Sequence, residues 1–117
     1  MEGEKECIFC KIVAGEISTT LLYEGENVIA FDDINPQAPV HTLIIPRTHI
    51  ASMNDVGDST DNLVGRMFHI ARDIAKQKGI DQTGYQLLIR TGRDGGQEVD
   101  HIHLHLTGGK ELGTNIG

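Results

Sequence analysis

Three of the chain's six histidines stand at alternate positions of one short stretch, His101-Ile102-His103-Leu104-His105-Leu106. Side chains of a β-strand point alternately to its two faces. The pattern therefore predicts a strand from Asp100 to Thr107 carrying three imidazoles on one face, about 6.6 Å apart, with Ile102, Leu104 and Leu106 turned to the core. A lone histidine on a strand is ordinarily packed or solvated; three in alternation, backed by aliphatic residues, call for another account. Imidazole is a common metal ligand, and it is also a nucleophile or proton carrier at acyl and phosphoryl centres.

Attack on phosphorus needs an unprotonated imidazole nitrogen whose ring is held by a hydrogen bond at the other nitrogen. With an ordinary pKa near 6.5, much of a histidine population meets that condition at neutral pH. Thr91-Gly92-Arg93-Asp94-Gly95-Gly96-Gln97 lies just ahead of the histidines. By itself it reads as an ordinary hairpin loop. Beside the histidine row, a flexible glycine-rich loop delivers backbone N–H groups that can form an anion-binding concavity, which points to a phosphate held against a nucleophile. A second pattern, Cys7-x-x-Cys10, is half of a tetrahedral zinc site and needs two further nitrogen or sulfur ligands. No βαβ pattern follows it, so a thioredoxin-like redox pair does not fit.

Several elements must position these groups. Cys7 to Ala14 suits a short helix punctuated by Gly15. Leu21 to Glu24 and Val28 to Asp32 read as strands around Gly25-Glu26-Asn27, a hairpin signal. Asn35-Pro36-Gln37-Ala38-Pro39 excludes regular structure, because its prolines remove donors and fix φ. His41 to Pro46 is a strand rich in aliphatic residues. Capping candidates cluster around Asp58 and Ser59. From Thr60 to Lys78, Leu63, Met67, Ile70 and Ile74, joined by Val64, Phe68 and Ala71, recur at helical spacing, and Gly79 suits the C-terminal cap. His69 on this helix has no partner nearby in sequence and reads as structural or solvated. Tyr85 to Thr91 and Asp100 to Thr107 complete five strands. The expected fold is α+β: a five-stranded antiparallel sheet with one long and one short helix, in one domain over residues 1–117, with a leader at 1–5 and a tail at 110–117.

Composition narrows the partners. A net charge of -7 argues against polymeric nucleic acid, which normally needs a basic stripe, while leaving room for a mononucleotide held by local dipoles. Aromatics are only 4% and Trp is absent, so the core must be mainly aliphatic. No apolar run approaches a membrane span and the first residues have no signal-like apolar core, which together point to the cytoplasm. A reducing compartment would keep both cysteines as thiols or metal ligands.

The linked motifs resemble the histidine triad (HIT) family, in its nucleotide-binding branch. The likeness rests on His101-x-His103-x-His105 between Gly95-Gly96-Gln97 and Gly108-Gly109, on Cys7-Ile8-Phe9-Cys10-Lys11-Ile12, on Ala30 to Pro39, on His41-Thr42-Leu43-Ile44-Ile45-Pro46 and on His49-Ile50. The resemblance implies cleavage of the P–N bond of purine nucleoside 5'-phosphoramidates through a covalent nucleotidyl-histidine. It makes His103 the nucleophile, has His105 donate to phosphate oxygens, keeps His101 in the catalytic row and has His41 support the row's orientation and charge. Gly96, Gln97, Glu98 and Val99 would surround the phosphate, with Gln97 stabilising its oxygens. Asp33 would accept from the ribose hydroxyls, and Phe9 and Ile34 would wall the base.

The resemblance also implies a homodimer whose two sheets join into one, and no cofactor for catalysis. A structural zinc would be held by Cys7, Cys10, His49 and His101. Two positions depart from the family. Glu98 stands where the nucleotide-binding branch often has Ser or Thr to assist the leaving group, and Arg90 stands where many relatives have Asn near ribose and phosphate. The tail lacks the Trp-Pro-Pro-Gly ending of animal members. Three other readings compete: a dinucleoside polyphosphate hydrolase of the same fold, a branch that typically has Gln where His105 stands; a weakly active nucleotide-binding scaffold; and a catalytic tri-histidine metal site.

Overall fold

A computed structural model describes residues 6–114; the leader expected at 1–5 and the last three residues of the tail lie outside the described residues. The elements run α1 (Ile8–Val13), β1 (Tyr23–Glu24), β2 (Val28–Asp32), β3 (Val40–Pro46), a 3-10 turn (Met53–Asp55), α2 (Asp61–Gln77), β4 (Tyr85–Ile89), α3 (Gly92–Gly95) and β5 (Leu104–Gly108). Five strands form one sheet in the order β1-β2-β3-β5-β4, every neighbouring pair antiparallel. The α+β expectation holds.

Alternation along the strands divides the core in two. Val28, Ala30, Ile44, Leu104 and Leu106 face α2, where they meet Met67, Ile70, Ala71, Ile74 and Ala75. Ile29, Phe31, Leu43 and Ile45 face the other way and meet Cys7 and Phe9 of the α1 segment. Because helices cover both faces, β2 and β3 read as near-continuous apolar runs, as fully buried strands do. The long helix keeps His69 exposed, as expected of a residue off its apolar face. Its cap residue is Thr60, not Asp58 or Ser59. At the other end Gly79 takes φ +74°, and the N–H groups of Gly79 and Ile80 donate to the carbonyls of Lys76 and Ala75 at 3.1 and 3.0 Å. This is a Schellman stop that seats Ile80 in the core.

Three expectations need correction. The strand at Leu21 begins only at Tyr23. The glycine-rich segment is not a flexible loop throughout, since Gly92–Gly95 forms a helical turn, so there are more short helices than one. The histidine strand begins at Leu104, not Asp100. Its early residues leave the ladder because the N–H of His101 donates to Val99 and that of Ile102 to Ile50, at 2.8 and 2.6 Å. The His101 ring Nε2–H meanwhile occupies the Pro46 carbonyl at the end of β3, at 2.8 Å.

Candidate active site

Two backbone groups determine where the protons sit on the buried imidazoles. The carbonyl of His101 can only accept, so the Nδ1 of His103, 2.8 Å away, carries a proton and donates it. The lone pair of His103 is therefore on Nε2. The N–H of Gln37 can only donate, so the Nδ1 of His41, 3.0 Å away, is the bare nitrogen and its Nε2 carries the proton. That Nε2–H donates to Nδ1 of His105 at 3.0 Å, with Asp33 Oδ2 a second, longer acceptor at 3.5 Å. His105 must then carry its proton on Nε2, and this buried atom has no partner among the described residues. A bare nitrogen on His103 and an unused donor on His105 thus lie on rings whose centroids are 4.8 Å apart.

Burial keeps both rings neutral. It lowers the pKa of His105 from 6.5 to about 4, helped by His103, His41 and Arg90 and opposed by Asp33. The same desolvation lowers His103, with Arg90 acting in the same sense; the His101 carbonyl, Asp33 and Glu98 pull the other way. A neutral His103 is what a nucleophile at phosphorus requires.

These histidines open onto a cleft of about 1050 Å³. Its apolar end lies over β2 and β3, where Phe9, Phe31, Leu43 and Val99 offer walls for a flat ring. Phe9 meets the His103 ring edge to face, with centroids 5.1 Å apart. Ile34 stands at the rim, 91% exposed. Asp33 lines the cleft with its Oδ1 already accepting from the Asn35 N–H at 2.9 Å, a turn contact that aims the carboxylate while leaving lone pairs over. Arg90, Gly96 and Glu98 complete the polar end.

Gln97 does not reach this cleft. Its Oε1 accepts from Gly92 N–H at 3.0 Å, and its amide donates to the carbonyls of Ala51 and Val99 at 2.6 and 2.9 Å. The N–H groups of Gly96 and Gln97 are also taken, by Arg93 and Gly92 carbonyls. Glu98 and Val99 line the cleft, and their N–H groups have no partner among the described residues. Gln97 braces the loop on which Glu98 and Val99 stand.

His101 likewise separates from the row. Fully buried, its ring faces Cys7 Sγ at 3.4 Å and Cys10 Sγ at 3.5 Å, while Cys10 Sγ lies 3.2 Å from His49 Nδ1. Since His101 Nε2–H donates to Pro46, its Nδ1 points a lone pair at the thiols. The four ligand atoms lie within 4.8 Å of one another. Tetrahedral zinc with ordinary Zn–S and Zn–N bonds spans about 3.6 Å between a sulfur and a nitrogen ligand. The donor set, the spacing and the carbonyl that fixes the His101 tautomer all suit zinc. Burial lowers the His101 pKa to about 4, with His49 and His103 adding to the effect and the Pro46 carbonyl opposing it, so the ring is neutral, as a ligand must be.

Two contributors carried no clear sequence signal. The Gln37 N–H acts through its backbone, which any non-proline residue offers, and Leu112 of the tail lines the cleft, with Gly113 carbonyl accepting from Gln86 Nε2 at 3.2 Å.

Comparison with known proteins identifies the family. The family described as "Scavenger mRNA decapping enzyme C-term binding" matches residues 6–115. A protein of Escherichia coli (strain K12) named purine nucleoside phosphoramidase is 50% identical over 109 residues, 93% of this chain and 92% of that relative. The crystal structure of a HIT family hydrolase from Legionella pneumophila Philadelphia 1 superposes with TM-score 0.92 at 47% identity, covering 95% of this chain and 99% of that one. A histidine triad protein from Clostridium difficile gives 0.91 at 45% identity, covering 98% and 99%. With its fold and nearly its whole length shared with these relatives at 45–50% identity, the chain belongs to the histidine triad (HIT) family.

Proposed function

We propose that this protein is a hydrolase that cleaves the P–N bond of purine nucleoside 5'-phosphoramidates through a nucleotidyl intermediate on His103. The observation that carries the reading is the bare Nε2 of His103, enforced by the His101 carbonyl and facing the cleft beside the unpartnered Nε2–H of His105. The name of the Escherichia coli relative supports the substrate class.

The purine lies against Phe9, Val99 and Ile34, and Asp33 accepts from the ribose hydroxyls. His103 Nε2 attacks phosphorus in line with the P–N bond. That bond breaks, and the amine leaves with its electron pair, taking up one proton from solvent that the later attack by water returns. His105 Nε2–H and the N–H groups of Glu98 and Val99 stabilise the charge on the phosphoryl oxygens. Water then attacks the phosphorus of the intermediate, releasing the nucleoside monophosphate and restoring neutral His103.

Cys7, Cys10, His49 and His101 would hold a zinc ion whose contribution is structural: it fixes His101 and takes no part in the reaction. The protein acts as a homodimer in this reading. The outer edge of β4, a strand of five half-buried residues, is unpaired among the described residues and suits sheet continuation. Sedimentation at micromolar concentration reads the mass directly, and a monomer there would reject the dimer. Cys7 and Cys10, which form no disulfide, suit the reducing cytoplasm, and among the described residues no helix is long and apolar enough to cross a membrane.

The test is release of AMP from an adenosine 5'-phosphoramidate by the wild type and by His103→Ala. Wild-type turnover, with a nucleotidyl adduct seen by mass spectrometry after rapid quench and absent from the variant, is the expected result. Equal release by both proteins would falsify the role given to His103.

A further inference from the structure

Among the described residues, Arg90 is a cation without a counterpart. The other four arginines each have a partner: Arg47 bonds the Gly25 carbonyl and faces Glu24, Arg66 bonds Tyr23, Arg72 pairs with Asp73 and Arg93 with Asp94. The guanidinium of Arg90 makes no hydrogen bond or ion pair with any described residue, although its side chain is half-buried and lines the cleft. Glu98, on the same cleft, forms no ion pair with it.

Strand register gives its position. Gln86 pairs with Thr107 and Leu88 with His105, so on the same face the next residue of the β4 segment, Arg90, falls beside His103. Its charge is felt at both His103 and His105. Gly96, at φ +80°, passes so close that a Cβ there would sit 3.5 Å from Arg90 Nη1. The loop backbone therefore packs along the guanidinium and limits its movement.

The sheet order tells which part of a substrate would meet it. The apolar wall and Asp33 lie over β2 and β3, the reactive histidines on β3 and the β5 segment, and Arg90 beyond them at β4. A nucleoside on the β2 side leaves the β4 side of the cleft to the amine bonded to phosphorus, the group that His103 displaces. In the reaction proposed above, His105 Nε2–H and two backbone N–H groups meet the phosphoryl oxygens, which leaves Arg90 for another part of the substrate. A partly desolvated, unpaired guanidinium is costly unless an anion meets it, and its planar fork matches carboxylate and phosphate oxygens.

We propose that Arg90 is a specificity-determining residue that selects leaving groups bearing an oxyanion: a carboxylate, as on an amino acid joined to phosphorus through its nitrogen, or a second phosphate. This rests on the hydrolase reading above and names the leaving-group class within it.

The experiment compares two substrates, the adenosine 5'-phosphoramidate of glycine and that of glycinamide, which differ in one negative charge at the far end of the leaving group. The wild type should favour the carboxylate in kcat/KM by about 10- to 100-fold, the range expected of one charge-assisted bidentate contact. In Arg90→Ala that ratio should collapse to about 1 whatever the absolute rate, and Arg90→Lys should restore part of it. Calorimetric binding of the same two compounds, and of ADP against AMP, makes a second readout that needs no turnover. Preference for the glycine compound assigns the carboxylate source, and preference for ADP over AMP, lost in Arg90→Ala, assigns the phosphate source. A wild-type ratio near 1 in both rate and binding, or a ratio unchanged in Arg90→Ala, overturns the proposal. Absence of hydrolysis with the binding preference intact overturns the hydrolase reading and leaves Arg90 in its role.

Discussion

The carbonyl oxygen of His101 accepts the Nδ1 proton of His103 at 2.8 Å, while the ring of His101 is turned to the two cysteines. One residue thus joins the thiol cluster to the tautomer of the proposed nucleophile. Cys10→Ser removes one ligand of the proposed zinc site, so it should lower zinc content and loosen this hold. We expect kcat to fall by about tenfold or more, KM to change little, and the His103 nitrogen resonances to report mixed tautomers. Full zinc content, or an unchanged tautomer after zinc loss, would show that the cluster does not position His103.

The unpartnered donor of His105 carries a separate expectation. Replacing the ring with Leu removes the Nε2–H aimed into the cleft and the acceptor of the His41 Nε2–H. By comparison with the loss of one oxyanion donor, kcat should drop by about 100-fold or more with AMP binding largely kept. If AMP affinity fell as far as kcat did, the contact would belong to the ground state rather than the transition state.

Acid should act in a defined window. In the folded protein, burial first of all lowers His101 and His105 from 6.5 to about 4, so the unfolded chain binds more protons between those values. Their contribution to stability is complete above pH 6.5 and is lost as pH falls toward 4. Because His103 is lowered in the same direction, the acid limb of kcat should lie below 6.5 as well. Thermal midpoints and rates measured across this range test both expectations; an acid limb above 6.5 would contradict the neutral, desolvated row.

Gln97 separates bracing from phosphate contact. Its side chain makes bonds to Gly92, Ala51 and Val99. Gln97→Ala should therefore lower stability by about 1–3 kcal/mol, the cost of stranding the half-buried Ala51 and Val99 carbonyls. Denaturant unfolding measures this, and an unchanged midpoint would return Gln97 to the phosphate.

Local pattern carried much of this protein. Alternation of histidines with Ile102, Leu104 and Leu106, helical spacing from Leu63 to Ile74, and the stop at Gly79 are all read from neighbours a few residues apart, which is the range over which secondary structure is set. The chemistry of the row was legible for the same reason, because residue type and period determine what a strand face can offer. Its division of labour was not legible. Whether His101 joins the cleft or the cysteines depends on Pro46 and on residues 94 positions away in the chain. Proton placement on His41 and His103 depends on backbone groups that every residue type shares. Gln97 was drawn to the phosphate by its place in the motif, yet three partners across the loop hold its amide. Arg90 shows the same limit from the other side: its charge is plain in the sequence, but that it lines the cleft with no ion-pair partner among the described residues is decided by the β4–β5 register. Type and period are local properties of the chain; who meets whom is settled by packing across it.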